Sequence, residues 1–416
     1  MSEFVQKGKV ARYFKKLSKF QSSIPIILGS GGIGLIQSLG ERQIRSIVID
    51  DGPASERDQS KYCLRLFIPN LWSHPIKGFE YIKKVGHMAN DQFLFSPILF
   101  PTSDYVLEYL LDFYEETKSF SHVVASSKEV LSLTLNKVSF GRWLKKNGFP
   151  HPKIYFSSHK VIIKLEDSLG EIDFPCIIKP GHTFKLEKET SQKLIIAQSR
   201  EETFDICRML SQKNLDYIIQ EIIPGEISRQ FALAGYCSKP GRIDCIVQTN
   251  KLRQSYFGAG TFVASANIPE VERIGVSIIE KLGYQGIFEL EFKQDERDNQ
   301  FKVIELNPRT WSQIKLSTRL GVNIPFYAYE NIIGHRASWH HIEEKKSPKY
   351  WVHFEGNLSF WRKSILSGHI DISYFLKVLL SIPIVEPFSF RDMGPGIFCL
   401  LNRFYKKIRQ FYSKPL

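Results

Sequence analysis

Hydrophobic and polar positions alternate along this chain with two periods, and the period marks the elements. Ile24-Pro25-Ile26-Ile27-Leu28 and Ser46-Ile47-Val48-Ile49-Asp50 are short apolar runs that predict strands; between them, Gly29 to Gly34 opens a helix reaching about Leu39. Residues 24–125 therefore read as a parallel α/β lobe. Ser126-x-x-Glu129 predicts a capping box. Asn136-Lys137 opens a helix over Val138 to Asn147 that stops at Gly148. Pro269 to Lys281 places Ile274 and Ile278, with Leu282, on one side of a helix ended by Gly283. Phe174 to Pro180, Asp216 to Gly225 and Cys245 to Gln248 predict strands, the second stopping at Pro224-Gly225.

The alternation is clearest in Gly286-Ile287-Phe288-Glu289-Leu290-Glu291-Phe292. A polar turn, Gln294 to Gln300, joins it to Val303-Ile304-Glu305-Leu306-Asn307-Pro308-Arg309. Successive side chains on a strand point to opposite faces. Glu289 and Glu291 thus share one face, opposite Phe288, Leu290 and Phe292, and Glu305 shares a face with Asn307. Folding the hairpin brings Glu291 beside Glu305. Paired carboxylates repel, and one protonates unless a cation lies between them. Two carboxylates and an amide oxygen suit a hard ion such as Mg²⁺. Arg309, two residues beyond Asn307, supplies a fork for an anion. A surface hairpin with its charges in water is the plain alternative; it does not account for Glu, Asn, Pro and Arg following Val303-Ile304.

At these residues the chain resembles the ATP-grasp superfamily, in its carboxylate–amine ligase branch (carbamoyl-phosphate-synthetase-like, D-aspartate-ligase-like). Its members carry a Glu on one strand and Glu-x-Asn-x-Arg on the next, here Glu291, Glu305, Asn307 and Arg309. The resemblance implies an α/β plus α+β fold: a Rossmann-like (pre-ATP-grasp) lobe at the amino terminus, then two α+β lobes holding ATP between their sheets. It implies ATP and Mg²⁺, or Mn²⁺, as cofactors. Glu291, Glu305 and Asn307 would hold the metal, Lys137 and Lys179 the phosphates, and the backbone of Gln220, Glu221, Ile222 and Ile223 the adenine edge. Lys251-Leu252-Arg253-Gln254 is similar to a segment whose cations hold an acidic substrate. Lys251, Arg253 and Arg309 are thus the substrate candidates, and Arg253 and Arg309 the catalytic ones. Gly148-Phe149-Pro150-His151-Pro152 resembles a boundary between lobes. The chain departs from the family pattern at Asn136, where Asp is frequent, and in the phosphate-covering loop Gly181 to Thr190, which holds one glycine. For each lysine the bland alternative is a solvated side chain. The implied reaction activates a carboxylate as an acyl phosphate and joins it to an amine.

Two rivals stay open. Gly29-Ser30-Gly31-Gly32-Ile33-Gly34 fits G-x-G-x-x-G between a strand and a helix, with Asp50-Asp51 some twenty residues on. That is a dinucleotide fingerprint, so an NAD(P)-dependent oxidoreductase is the first alternative; glycines that let helix and strand approach closely are the structural reading. The second rival is a catalytically silent ATP-binding relative.

Composition narrows the rest. The 416 residues predict two to three domains, with 43% hydrophobic and 24% charged residues, enough for a core and unlike a disordered chain. The expected divisions are a basic extension at 1–23, the Rossmann-like lobe at 24–125, the ATP-grasp lobes at 126–335 and a basic, aromatic region at 336–416, with Trp339, Trp351 and Trp361 among its aromatics. Six scattered cysteines without CxxC read as reduced thiols, and no signal peptide or spanning run is evident, so a cytoplasmic enzyme is expected. The net charge is +13, with basic clusters at Lys7 to Lys19 and at Arg403, Lys406, Lys407, Arg409 and Lys414. No nucleic-acid module is present. The tail invites peripheral contact with anionic lipid, against the plainer expectation that its Phe and Tyr residues pack on the domain. The resemblance implies small-molecule carboxylate and amine substrates as partners. Their identity and the oligomeric state are not written in the sequence.

Overall fold

The computed structural model describes residues 3–29, 31–157, 172–182, 186, 194–255, 258–335, 348–358, 360, 380 and 383–412. The first sheet is parallel. Its strands are β1 (Pro25–Leu28), β2 (Ser46–Asp50), β3 (Cys63–Phe67), β4 (Ile98–Pro101) and β5 (His122–Val123), in the order β3-β2-β1-β4-β5. Ile26, Ile27, Ile47 and Val48 are fully buried because helices cover both faces, as a parallel sheet requires. On one face lie α1 (Glu3–Leu17), α3 (Pro75–Asn90) and α4 (Asp104–Asp112); on the other lies α2 (Ile33–Gly40). The basic helix α1 presents one apolar stripe, Val10, Phe14 and Leu17, and buries it in this core. A short helix, α5 (Tyr114–Phe120), precedes β5.

Two helices lead onward, α6 (Lys128–Leu135) and α7 (Lys137–Lys146). The expected cap at Ser126 is displaced by one residue. The Ser127 hydroxyl accepts from the Val130 amide at 3.4 Å, whereas Ser126 accepts from the Gln285 amide at 3.1 Å and so ties two lobes together. The second sheet is antiparallel: β6 (Ile154–Ser157), β7 (Cys176–Pro180), β8 (Ile195–Ala197) and β9 (Tyr217–Glu221), ordered β6-β9-β7-β8. It has its own core with α8 (Arg200–Gln212), including Cys176, Ile178, Cys207 and Tyr217.

The third sheet has seven strands: β10 (Gln230–Lys239), β11 (Arg242–Gln254), β12 (Gly260–Ala266), β13 (Gly286–Gln294), β14 (Phe301–Asn307), β15 (Tyr350–His353) and β16 (Ile384–Glu386), in the order β14-β13-β10-β11-β12-β15-β16. Lys251 to Gln254 continue a strand, not a loop between strands. The region after 340 supplies two strands of this sheet, while Trp339, Trp361 and Lys414 lie outside the described residues. The helix α9 (Pro269–Leu282) lays Val271, Ile274 and Ile278 on Leu233, Phe288 and Leu290, and Gly283 closes it in the left-handed region at φ 59°. The opposite face meets α10 (Lys315–Arg319) and α11 (Ile324–Ile332), whose core continues through α2 into the first sheet. A last helix, α12 (Met393–Tyr412), packs beside residues 56–59.

Candidate active site

The hairpin β13–β14 sets the site. Its register puts Glu291 directly across from Glu305, and Glu289 across from Asn307. Phe292 then pairs with Val303, so Ile304 is an extra residue in β14, a bulge. Val303 and Leu306, three apart, both enter the core for that reason, and Glu305 and Asn307 turn to the other side.

Each facing carboxylate is met by a lysine. Lys137, the first residue of α7, forms an ion pair with Glu305. The Lys251 Nζ lies 3.2 Å from Glu291 Oε2. Burial opposes the charge on Lys137, but Glu305 outweighs it and raises the lysine pKa; Glu291 and Glu289 do the same for Lys251. In return the Lys137 charge, with Lys179 adding to it, holds Glu305 below the usual carboxylate range. Lys179 ends β7 only 8% exposed. Burial lowers its pKa to about 8, with Glu305 pulling the other way. Glu289 behaves oppositely to Glu305: burial and then the Glu291 charge push its carboxyl up.

Asn307 Nδ2 donates to Glu289 Oε2 at 3.2 Å and to Glu291 Oε1 at 3.3 Å, and Gln313 Nε2 donates to Glu289 Oε1 at 2.8 Å. The Asn307 oxygen faces Arg309, accepting from Nη2 at 3.1 Å, and Arg309 Nε donates to Asp104 Oδ1 at 2.6 Å. The guanidinium thus bridges the hairpin to the first lobe.

Beside these groups runs a cleft between the second sheet and β14, with Lys137, Lys179, Gln220, Glu305, Ile154 and Leu144 in its lining. Apolar walls and a few converging charges suit a nucleotide. Of the expected hinge residues, Gln220 lines the cleft. The Glu221 side chain is committed elsewhere: Oε1 accepts from the Lys153 amide at 2.7 Å and Oε2 from Arg297 Nη2 at 2.9 Å. The Glu221 amide donates to the Lys153 carbonyl at 3.0 Å. Ile222 and Ile223 follow in irregular chain, with Ile223 buried.

Arg253 meets Asn357 and two aromatic rings. A strand irregularity separates it from Lys251; Nη1 donates to Asn357 Oδ1 at 2.7 Å, and the guanidinium sits 3.9 Å from the Phe360 ring centre and 4.9 Å from that of Phe262. Of the loop Gly181 to Thr190, only Gly181, His182 and Leu186 are among the described residues. His182 Nδ1 is 2.7 Å from Glu108 Oε1, and its Nε2 is 3.1 Å from Asn136 Nδ2. Asn136 also caps α7, accepting from the Ser139 amide at 3.0 Å, so Asn at this position has a local task. Asp104, Glu289, Gln313 and His182 belong to this network without having been singled out as site residues. Glu289 had a sequence signal, two positions before Glu291 on the same face, and His182 lies in the loop that resembles a phosphate cover.

Among the described residues no group of three or more His, Cys, Asp or Glu is gathered as a metal site. The donors on offer are Glu291, Glu305 and the Asn307 amide. Their hard oxygens fit Mg²⁺, and the ammonium groups now against them show that the place demands positive charge.

The glycine-rich loop has a different use. Asp50 forms an ion pair with Arg57 and lies 2.7 Å from Arg65 Nη2, and Arg57 Nη1 donates to the Gly29 carbonyl at 3.3 Å. All eight residues of α2 are buried. A Cβ on Gly34 would stand 3.3 Å from the Ser312 carbonyl oxygen, so this glycine lets α2 approach the chain beyond the hairpin. The acid that would read a ribose is already paired.

The fold is that of ATP-grasp proteins, and the chain is similar to carboxylate–amine ligases that share it. Relatives agree. A D-aspartate ligase of Enterococcus faecium is 23% identical over 326 residues, covering 74% of this chain and 76% of its own length. The biotin carboxylase domain of Hydrogenobacter thermophilus 2-oxoglutarate carboxylase, solved with MgADP and bicarbonate, superposes with a TM-score of 0.60 at 14% identity, over 77% of this chain and 72% of that one. An L-amino acid ligase from Bacillus licheniformis gives a TM-score of 0.54 at 13% identity, over 76% and 75%. No protein-family model matches.

Proposed function

We propose that this chain is an ATP- and Mg²⁺-dependent ligase that activates a carboxylate as its acyl phosphate and couples it to an amine. The observation that carries this is the direct pairing of Glu291 with Glu305 under three converging lysines, beside a cleft between the second sheet and β14. Glu291, Glu305 and the oxygen of Asn307 would hold Mg²⁺, which supplies charge neutralisation at the phosphates. Mn²⁺ fits the same oxygens. Lys137 and Lys179 hold phosphate oxygens as fixed positive charges. Gln220 supports the nucleotide base from the cleft wall, with the backbone of Glu221 to Ile223 beyond it. Arg309, steadied by Asp104, orients the carboxylate or the transferred phosphoryl group. Lys251 favours an acidic substrate. Arg253 acts at one remove, through Asn357 and the rings around it. The amine then attacks the acyl carbon, phosphate leaves, and an amide remains.

ATP as co-substrate and six unpaired cysteines support a cytoplasmic enzyme. The divisions 24–125, 126–335 and 336–416 serve as a supporting lobe, the ATP-gripping lobes and a closing segment; 1–23 joins the first through α1.

The test is ADP release with Mg²⁺ across pairs of carboxylates and amines. One pair should turn over, and Glu305→Gln should lower that rate by roughly a hundredfold or more. Failure of every acidic carboxylate to stimulate ADP release, or a Glu305→Gln variant as active as the parent, overturns the proposal.

A further inference from the structure

We propose that α12 is a membrane-docking helix: it presents an outward apolar stripe on a positively charged chain, and it lies flat in the headgroup region of a bilayer containing anionic lipid. The proposal is independent of the catalytic reading.

The helix is anchored at its start. Asp392 is buried, accepting from the Ser60 hydroxyl at 2.7 Å and the Lys61 amide at 3.0 Å. Gly394 and Gly396 lie so close to the Gln59 carbonyl and the Phe388 ring that neither has room for a Cβ. The side turned to the protein is therefore the one with small residues, Pro395, Gly396 and Cys399.

The large apolar residues point the other way. Met393, Ile397, Leu400, Leu401 and Phe404 are all exposed, Leu401 at 63% and Phe404 at 66%. Their spacing of four, seven, eight and eleven residues from Met393 makes one continuous helical stripe. Phe390, just before the helix, is fully exposed and extends it. This inverts the usual surface helix, whose apolar stripe faces the core. The expectation that the aromatic tail packs on the domain is thereby corrected for Phe404 and Tyr405, both exposed. A stripe of this kind marks an interaction surface.

Charge chooses the occupant. The sequence from Met393 to Leu416 has no Asp or Glu, and Arg403 and Lys406 lie among its described side chains. The whole chain carries +13. A second copy would bring the same charge against itself, whereas a bilayer with anionic headgroups offers apolar depth and opposite charge together. No described helix is long and apolar enough to cross a membrane, and one-sided amphipathicity places α12 along the surface. No α12 residue lines the nucleotide cleft, so docking leaves that cleft open.

The experiment is co-sedimentation of the full chain with phosphatidylcholine vesicles, with and without phosphatidylglycerol. The wild type should bind the anionic vesicles and bind the neutral ones weakly. The double variant L400E/F404E should lose binding by at least about tenfold, and Arg403→Gln and Lys406→Gln should each cost roughly fivefold. Melting temperatures equal to wild type certify these variants as folded. If the double variant does not fold, Phe404→Trp decides: its added fluorescence should shift to shorter wavelength on anionic vesicles alone. The proposal is overturned by no binding of wild type, by binding retained in L400E/F404E, or by an added emission in the Phe404→Trp variant that vesicles leave unmoved. A wild-type dimer in solution that L400E/F404E converts to monomer would also overturn it, assigning the stripe to a second copy.

Discussion

Lys179 shows how one buried side chain sets a pH dependence. Burial lowers its pKa to about 8, so it is charged at neutral pH and loses its proton as pH rises through that value. Only the charged form neutralises phosphate. In the free enzyme, kcat/KM for ATP should therefore be flat below pH 7 and fall above pH 8 by up to about tenfold per pH unit. Lys179→Met should start low and stay flat over that range. A wild-type profile without this limb refutes the role. At this scale the sequence was partly legible. Glu291, Glu305, Asn307 and Arg309 could be placed because strand alternation needs only local pattern. The Lys251–Glu291 contact could not, because it crosses β10 and depends on the registers of two other strand pairs. The setting of Arg253 was hidden for a related reason: a break in regular pairing between it and Lys251 has no clear signature in Lys-Leu-Arg-Gln.

Among elements, the β13–β14 turn is more than a connector. Asp295 is fully buried and accepts from Arg297 and from Lys302 at 2.6 Å, and Arg297 reaches on to Glu221 at the end of β9. The turn that positions the carboxylate hairpin thus also fixes the strand on the other side of the cleft. Hydrogen bonds from Arg297, and then from Lys302, hold Asp295 well below the usual carboxylate range. A lowered acid pKa contributes stability above the unfolded value that is lost as pH falls. Asp295→Asn should cost about 2 kcal/mol at neutral pH in urea unfolding, and the gap to wild type should narrow below about pH 4. A gap that stays constant on acidification would show that charge is not the cause. The turn residues read from sequence only as polar; the fold reveals that one acid among them is enclosed. Helix ends were easier to place. Gly148 and Gly283 stop α7 and α9 as expected, whereas the Ser126 cap moved because a contact with Gln285 claimed that hydroxyl.

For the whole molecule, the lobes meet through charge. Lys137 ties α7 to β14, and Arg309 ties the end of β14 to Asp104 on α4. A ligand that completes this meeting place should stabilise the chain as a unit. Mg·ADP at a hundred times its Kd should add about 2.7 kcal/mol, visible as a raised Tm, while NAD⁺ should add nothing. The reverse pattern would restore the oxidoreductase. That rival was attractive because the glycine loop and Asp50 stand at the right spacing, and spacing is all a sequence displays; the Arg57 and Arg65 partners of Asp50 come from fold geometry. The same geometry has a consequence for ligand entry. Lys137 already answers Glu305, and Lys251 already answers Glu291. A divalent ion alone would meet two acids already paired with lysines, and a nucleotide alone would meet Lys137 already paired with Glu305. On the proposed function, metal and nucleotide arriving together would let both ion pairs exchange partners in one event, so these four side chains predict that Mg²⁺ and nucleotide bind far better jointly than singly.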